Sequence, residues 1–575
     1  MMNMESDKFV QGSVGIAQIN LVAGDIEYNA KKIVKYIKYA QDKNLDMVIF
    51  PEFALSGYGL EDAAEKFPVI AEENKKWLEE IAKITTKTTA LVGFINAEST
   101  SSVAVLSEGK IQKIIKKSVL SDNITVVNGV KYFINAGDDY KNAEISEKPD
   151  VFINCSACPS IIQEEKLKND ILSNIAKKYS VPVIFVNQVG ATDNYSFDGA
   201  SRVFDKNGQL SVCAKSFEED FMVVNPQKDS VCSVSGFQSY NAENKSFSLD
   251  YEDDMERTYK AIIQGVKDYF GKTGFKKAVL GLSGGLDSTV CAVILAEALG
   301  SENVFGVSMP SKITSDQSKS DAQILAQNLG IGFAVAPIKD MVETTNNSLQ
   351  SLFNGVEQFW DNRYSQSFTM DNIQARSRAM LLWGVSNEFG SCLPIATSDK
   401  SEAYMGYATI NGDMSGGFAP IGDITKTKLF ALARWLNKNG KIKNAIPQSV
   451  IEKRPGAELA IDPKTGKPLC AEDALMPYEF LDEIIWRIEN KKESYNDMLE
   501  SQFLYEKEHD VSKEQKIQWL DKFYRRMSTA LYKKSILPPY VIVDSPSYDY
   551  KQPITSSRIN YKGTPQEIIA EKLKV

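Results

Sequence analysis

Ser283-Gly284-Gly285-Leu286-Asp287-Ser288 follows the apolar run KKAVLGL and leads into STVCAVILAEAL, so strand, tight turn and helix are expected in that order. The glycines allow close backbone approach to a ligand. The start of the following helix offers unpaired N–H groups and the positive end of its dipole, the chemistry of a phosphate cradle. No lysine follows the glycines, so the loop is not of the Walker A type. The plainer reading is a glycine-rich turn closed by an Asp or Ser helix cap.

The chain has 1 histidine, His509 in the polar stretch YEKEHD, which reads as a solvated helix. Ser–His–Asp and Cys–His catalysis are therefore not expected, and acid–base work falls to carboxylates or lysines. Cys155 and Cys158 form one CxxC in INCSACPS with no second pair. A structural zinc needs four ligands, so two small buried residues are expected instead.

These residues must be positioned by more than one core, because 575 residues exceed what a single domain buries. A net charge of −9 gives no support to nucleic-acid or membrane-surface binding. Lys110, Lys113, Lys116 and Lys117 read as a solvated face. The start of the sequence lacks the pattern of a secretory signal, and the apolar runs fall short of a membrane span. With 7 cysteines and no disulfide pattern, a cytoplasmic location is expected.

Residues 1–225 alternate β-rich runs (SVGIAQINL, LDMVIF, TALVGFIN, DVFINCS, VPVIFVNQ) with amphipathic stretches such as 29–43, as in a layered α/β domain. Residues 226–252 are polar and aperiodic and read as a linker. A second α/β domain is expected over 253–575, with a helix to Phe270, the strand KKAVLGL and a helix over 288–299.

SGGLDS after a strand resembles the pyrophosphate loop of the N-type ATP pyrophosphatases. The segments 307–331, 371–390, 396–437 and 446–459 are similar, in order and spacing, to NAD synthetases within that group. The resemblance covers nearly all of 255–575. It implies a Rossmann-like doubly wound parallel sheet and ATP-dependent amidation of nicotinic acid adenine dinucleotide (deamido-NAD) through an acyl adenylate, releasing AMP and pyrophosphate. By the same resemblance Ser283, Gly284, Gly285, Leu286, Asp287, Ser288, Thr397, Lys426 and Ser449 would contact ATP. Asn372, Glu402 and Lys533 would contact the dinucleotide, and Asp287 and Glu402 would hold Mg2+. The family's TGNKSE reads TSDKSE here, placing an extra carboxylate, Asp399, beside the metal. Its Lys-Arg-x-Gln tail reads Lys533-Lys534-Ser535-Ile536.

GIAQINLVAGDIEYNAKKI, MVIFPEFALSGYGLEDA and residues 185–210 resemble the carbon–nitrogen hydrolases, or nitrilases, which are α-β-β-α sandwiches. The two resemblances in this order match the layout of enzymes in which glutamine is hydrolysed by the first domain and ammonia is passed to the second. Working nitrilases use Glu, Lys and Cys. Glu52 and Lys117 match the first two, but the segment aligned with the family's CEDxW is Ala136-Gly137-Asp138-Asp139-Tyr140. Asn123, Cys158 and Glu164 replace three further residues of the glutamine pocket.

The expectation is therefore an active synthetase half, an inactive glutaminase half, ammonia as nitrogen donor and, by family resemblance, a homo-oligomer. A different acceptor, such as nicotinic acid mononucleotide, stays open because the dinucleotide contacts rest on the altered tail, and so do two other readings. One is an ordinary glutamine-hydrolysing enzyme whose nucleophile was replaced artificially at Ala136. The other is a non-catalytic nucleotide-binding or assembly protein.

Overall fold

The computed structural model describes residues 12–117, 123–138, 145, 147–227, 254–357, 360, 366–456, 470–534 and 536–544. The expected linker beyond residue 227, Asp139, Tyr140 and the side chain of Glu164 lie outside the described residues. The chain divides into two compact units, Met1–Asp268 and Tyr269–Val575. The division falls inside helix Asp254–Thr273, beyond the domain start expected at 253.

The first unit is built on two six-stranded sheets. One runs in the order Asp220–Val224, Val14–Gln18, Met47–Ile49, Thr89–Ile95, Ser101–Ser107, Lys110–Lys116. The other runs Leu210–Cys213, Arg202–Phe204, Val183–Asn187, Val151–Ser156, Val130–Ala136, Ile124–Val127. Strand alternation sorts the side chains between layers. Ile16, Ile49, Leu91, Val103, Ile134 and Ile153 pack in the apolar layer shared by the two sheets. Ala17, Val48, Ala90 and Val92 face helices Ile26–Asp42 and Val69–Ile84 on one outer side. Phe133, Phe152 and Phe185 face helix Ile162–Tyr179 on the other. This is the expected α-β-β-α sandwich. Helix Asp254–Thr273 contributes Arg257, which pairs with Asp198 at 2.9 Å; the two side chains are 3% and 0% exposed.

The second unit carries a parallel sheet in the order Gly332–Val335, Val304–Ser308, Lys277–Gly281, Cys392–Pro394. Lys277–Gly281 comes first in sequence but lies inside the sheet, flanked by strands reached in opposite directions. Its C-terminal end beside Cys392–Pro394 is thus a topological switch point, where doubly wound sheets open a crevice. Helix Leu286–Leu299 is buried on nearly every side, as its apolar composition requires. A second core, including Tyr404, Phe480, Leu481, Phe503 and Phe523, joins the C-terminal helices. No helix among the described residues is long and apolar enough to cross a membrane.

Candidate functional sites

In the first unit three strand ends bring the nitrilase-like residues together. Glu52 follows strand Met47–Ile49 in a turn that lies flat on Gly93, where a Cβ would stand 2.3 Å from the Pro51 carbonyl oxygen. Lys117 follows strand Lys110–Lys116 and its N–H donates to the Ser101 carbonyl. Lys117 Nζ lies 3.8 Å from Glu52 Oε1 and 3.1 Å from Asp138 Oδ1.

Ala136 and Gly137 face in different directions. Ala136 ends its strand with its methyl in the inter-sheet apolar layer, as the alternation 132, 134, 136 dictates. Gly137 is the residue that turns, with φ +74°, and a Cβ built on it would lie 2.6 Å from Glu52 Oε1 and 2.9 Å from Lys117 Nζ. The side-chain direction that meets the Glu–Lys pair therefore belongs to a glycine. Cys155, opposite Ala136 on the neighbouring strand, is fully buried, and burial holds its thiol far above the usual range. Cys158 is partly buried, and its N–H donates to Asn187 Oδ1 at 2.8 Å. Asn123 is buried beside the strand, its carbonyl accepting from Ile134.

Glu52 is 4% exposed, and among the described residues its Oε1 has no hydrogen-bond partner. Burial pushes its carboxyl up from 4.5 to about 7 against the opposing pull of Lys117. Between those pH values the folded protein holds a proton that the unfolded chain has released. The associated stability is complete below the unfolded pKa and is lost as pH rises through about 7, an effect of about 3 kcal/mol. Glu52→Gln is expected to remove this slope. Urea midpoints of the two proteins then diverge in favour of the variant between about pH 5 and about pH 8; parallel profiles would contradict the assignment.

In the second unit the glycine loop leaves strand Lys277–Gly281 and enters helix Leu286–Leu299 as expected. Gly284 has φ +74°, and a Cβ there would meet the Ser318 carbonyl oxygen at 2.2 Å, so only glycine fits. Ser283 Oγ accepts from the Gly285 N–H at 3.1 Å and lies 3.1 Å from Ser288 Oγ, closing the loop around the helix start.

A cleft at this end of the sheet is lined by Ser283, Gly285, Leu286, Asp287, Thr397, Glu402 and Lys426. Arg378, Lys453 and Arg454 line it as well and supply positive charge beyond that of the residues expected to contact ATP. Gly284 and Ser288 shape the loop from behind. Ser449, Asn372 and Lys533 are not among the lining residues. Ser449 Oγ donates to Asp321 at 2.6 Å, Asn372 Nδ2 to the Phe368 carbonyl at 2.7 Å, and Lys533 Nζ to the Gly406 and Ala408 carbonyls at 2.8 and 2.6 Å.

Lys426 organises the floor of the cleft. It is 0% exposed, and its Nζ lies 2.5 Å from Asp287 Oδ1, 2.8 Å from Asp399 Oδ2 and 3.1 Å from Glu402 Oε1. Asp399 also caps helix Lys400–Met405, its Oδ1 accepting from the Glu402 N–H at 2.8 Å. Burial pushes the Asp399 and Glu402 carboxyls up while Lys426 pulls them down, and the carboxylates in turn raise Lys426. Asp287, Asp399 and Glu402 each offer an oxygen within 4.8 Å of the others. That all-oxygen donor set suits a hard divalent cation. Lys400 anchors the same short helix through Asp423 and Glu489, at 3.2 and 2.8 Å.

Residues 258–535 match the NAD synthase family and residues 13–119 the carbon–nitrogen hydrolase family. The glutamine-dependent NAD(+) synthetase of Thermotoga maritima is 34% identical over 524 residues, covering 82% of this chain and 88% of its own. That of Synechocystis is 33% identical over 536 residues, covering 85% and 91%. Among solved structures, the Acinetobacter baumannii glutamine-dependent NAD+ synthetase bound to ADP aligns with TM-score 0.65 at 25% identity, covering 94% of this chain and 97% of its own. The Cytophaga hutchinsonii glutamine-dependent NAD(+) synthetase aligns with TM-score 0.76 at 19% identity, covering 98% and 100%, a likeness of fold.

Proposed function

The chain belongs to the glutamine-dependent NAD(+) synthetase family, and from that premise we propose that it makes NAD with ammonia while its own first unit hydrolyses no glutamine. The observation that carries the second half is Gly137, which presents no side chain to Glu52 and Lys117. A glutaminase of this kind needs a thiolate to attack the amide carbon and hold the glutamyl group. A general base and a stabilising lysine do not replace that bond.

The second unit supports the first half. ATP phosphates fit the start of helix Leu286–Leu299, where the loop N–H groups and the helix dipole favour anions. The carboxylate of deamido-NAD attacks the α-phosphorus, the bond to the β-phosphate oxygen breaks, and pyrophosphate leaves. Ammonia then attacks the acyl carbon, AMP departs with the bonding electrons, and the excess proton is released. Lys426 faces the oxygens that gain charge in the first step and keeps its own charge because Asp287, Asp399 and Glu402 surround it. Asp287 and Glu402 would hold Mg2+, which supplies further neutralisation of the departing pyrophosphate.

The test supplies the purified protein with ATP, Mg2+ and ammonium, with either deamido-NAD or nicotinic acid mononucleotide as acceptor. Deamido-NAD is expected to give NAD, AMP and pyrophosphate in equal amounts, with the mononucleotide slower. Absence of pyrophosphate release with both acids would point to a non-catalytic role, and faster turnover of the mononucleotide would reassign the acceptor.

A further inference from the structure

Helix Tyr478–Trp486 carries nothing that the motifs identify, yet one of its carboxylates joins the helices bearing Lys426 and Glu402. Asp482 is 6% exposed. Its Oδ1 accepts from the Ser401 hydroxyl at 2.5 Å. Its Oδ2 accepts from the Thr427 N–H at 2.8 Å and the Thr427 hydroxyl at 2.7 Å. The Ser401 oxygen in turn accepts the Lys426 backbone N–H at 2.9 Å.

Thr425, which precedes helix Lys426–Asn439, makes no side-chain cap bond. Asp482 therefore satisfies that helix start from a distant segment, with its charge at the favourable end of the dipole. Its partners are N–H and hydroxyl groups on the two helices. Lys426 opens one helix, and Glu402 directly follows Ser401 in the other. A lysine side chain has several rotatable bonds, so the place of its ammonium depends on a fixed backbone beneath it.

We propose that Asp482 is a positioning residue for adenylation: through Ser401 and Thr427 it fixes the start of the helix that carries Lys426, so that the lysine ammonium faces the phosphates in one arrangement. The proposal rests on the reading of Lys426 as a phosphate-facing group, and the test separates the two. Wild type, Asp482→Asn, Lys426→Ala and the double variant of the full chain are assayed for pyrophosphate release with ammonium, varying ATP, and melting temperatures are recorded alongside.

Asp482→Asn keeps the volume and one acceptor oxygen but loses the other. It is expected to lower kcat about tenfold and leave the KM for ammonium unchanged. In the Lys426→Ala background the same substitution is expected to change the rate by less than about twofold, because no ammonium is left to place. Equal losses in both backgrounds would mean a purely structural role and overturn the proposal, as would a wild-type rate for Asp482→Asn. A wild-type rate for Lys426→Ala would instead overturn the reading of Lys426. Should Asp482→Asn fail to fold, Ser401→Ala removes the relay hydroxyl alone and is held to the same two-background comparison.

Discussion

Lys426→Ala is expected to slow NAD formation from ammonium by about a thousandfold, the scale of removing a preorganised charge from a developing anion. The size follows from the burial of the lysine and its three carboxylate neighbours, the nearest at 2.5 Å. In wild type the ammonium offsets part of that negative charge before ATP arrives. Without it, incoming phosphates meet Asp287, Asp399 and Glu402 unscreened, so ATP affinity falls together with the chemical step. Breaking a buried ion pair by deleting one partner costs about 3–5 kcal/mol, so the melting temperature also drops.

Lys426→Arg separates the two effects. It retains the charge and restores stability in part, but its planar fork does not fit a space built around a compact ammonium, and the rate stays low. Steady-state pyrophosphate release with ATP varied is the readout. A rate for Lys426→Ala above about a tenth of wild type would remove Lys426 from the phosphate-facing role.

The phosphate loop is legible in the sequence because its demands are local. A strand, residues of fixed backbone freedom and a helix start lie within one short segment, and Gly284 occupies a space no side chain can enter. The layers of both units follow from strand and helix periodicity in the same way. The different directions of Ala136 and Gly137 are not legible in the same way. Alternation tells which face a strand residue takes, but not where the strand ends, and Gly137 rather than Ala136 makes the left-handed turn.

Asp482 leaves no mark in its own segment. It reads as an ordinary polar position on an apolar helix, and its importance arises only when Ser401 and Thr427 are folded against it. Asp399 reads in sequence as an added carboxylate at the metal and proves also to be a helix cap paired with Lys426. Ser449, Asn372 and Lys533 sit where expected along the chain, but their polar atoms bond to the protein. A motif gives a residue's address; only the fold gives the direction of its side chain.

The choice of nitrogen donor carries the second large effect. Glutamine offers an amide nitrogen that is released only after acyl transfer to a nucleophile, and position 137 has none to offer. Cys155 does not substitute for it, because its thiol is buried and held protonated. Placing a thiol at position 137 is also obstructed. The Cβ of Gly137→Cys would press on Glu52 and Lys117 at 2.6 and 2.9 Å, so both groups must move before it reacts. Ala136→Cys would place its thiol in the inter-sheet layer and is expected to give no activity with glutamine.

The most direct measurement is NAD formation by the natural-sequence protein, with ammonium or ammonia-free glutamine as the only nitrogen source and all else held constant. Turnover with ammonium is expected, with a rate from glutamine at least about a thousandfold lower and no glutamate produced. Comparable NAD formation from the two donors, with one glutamate released per NAD, would contradict that expectation.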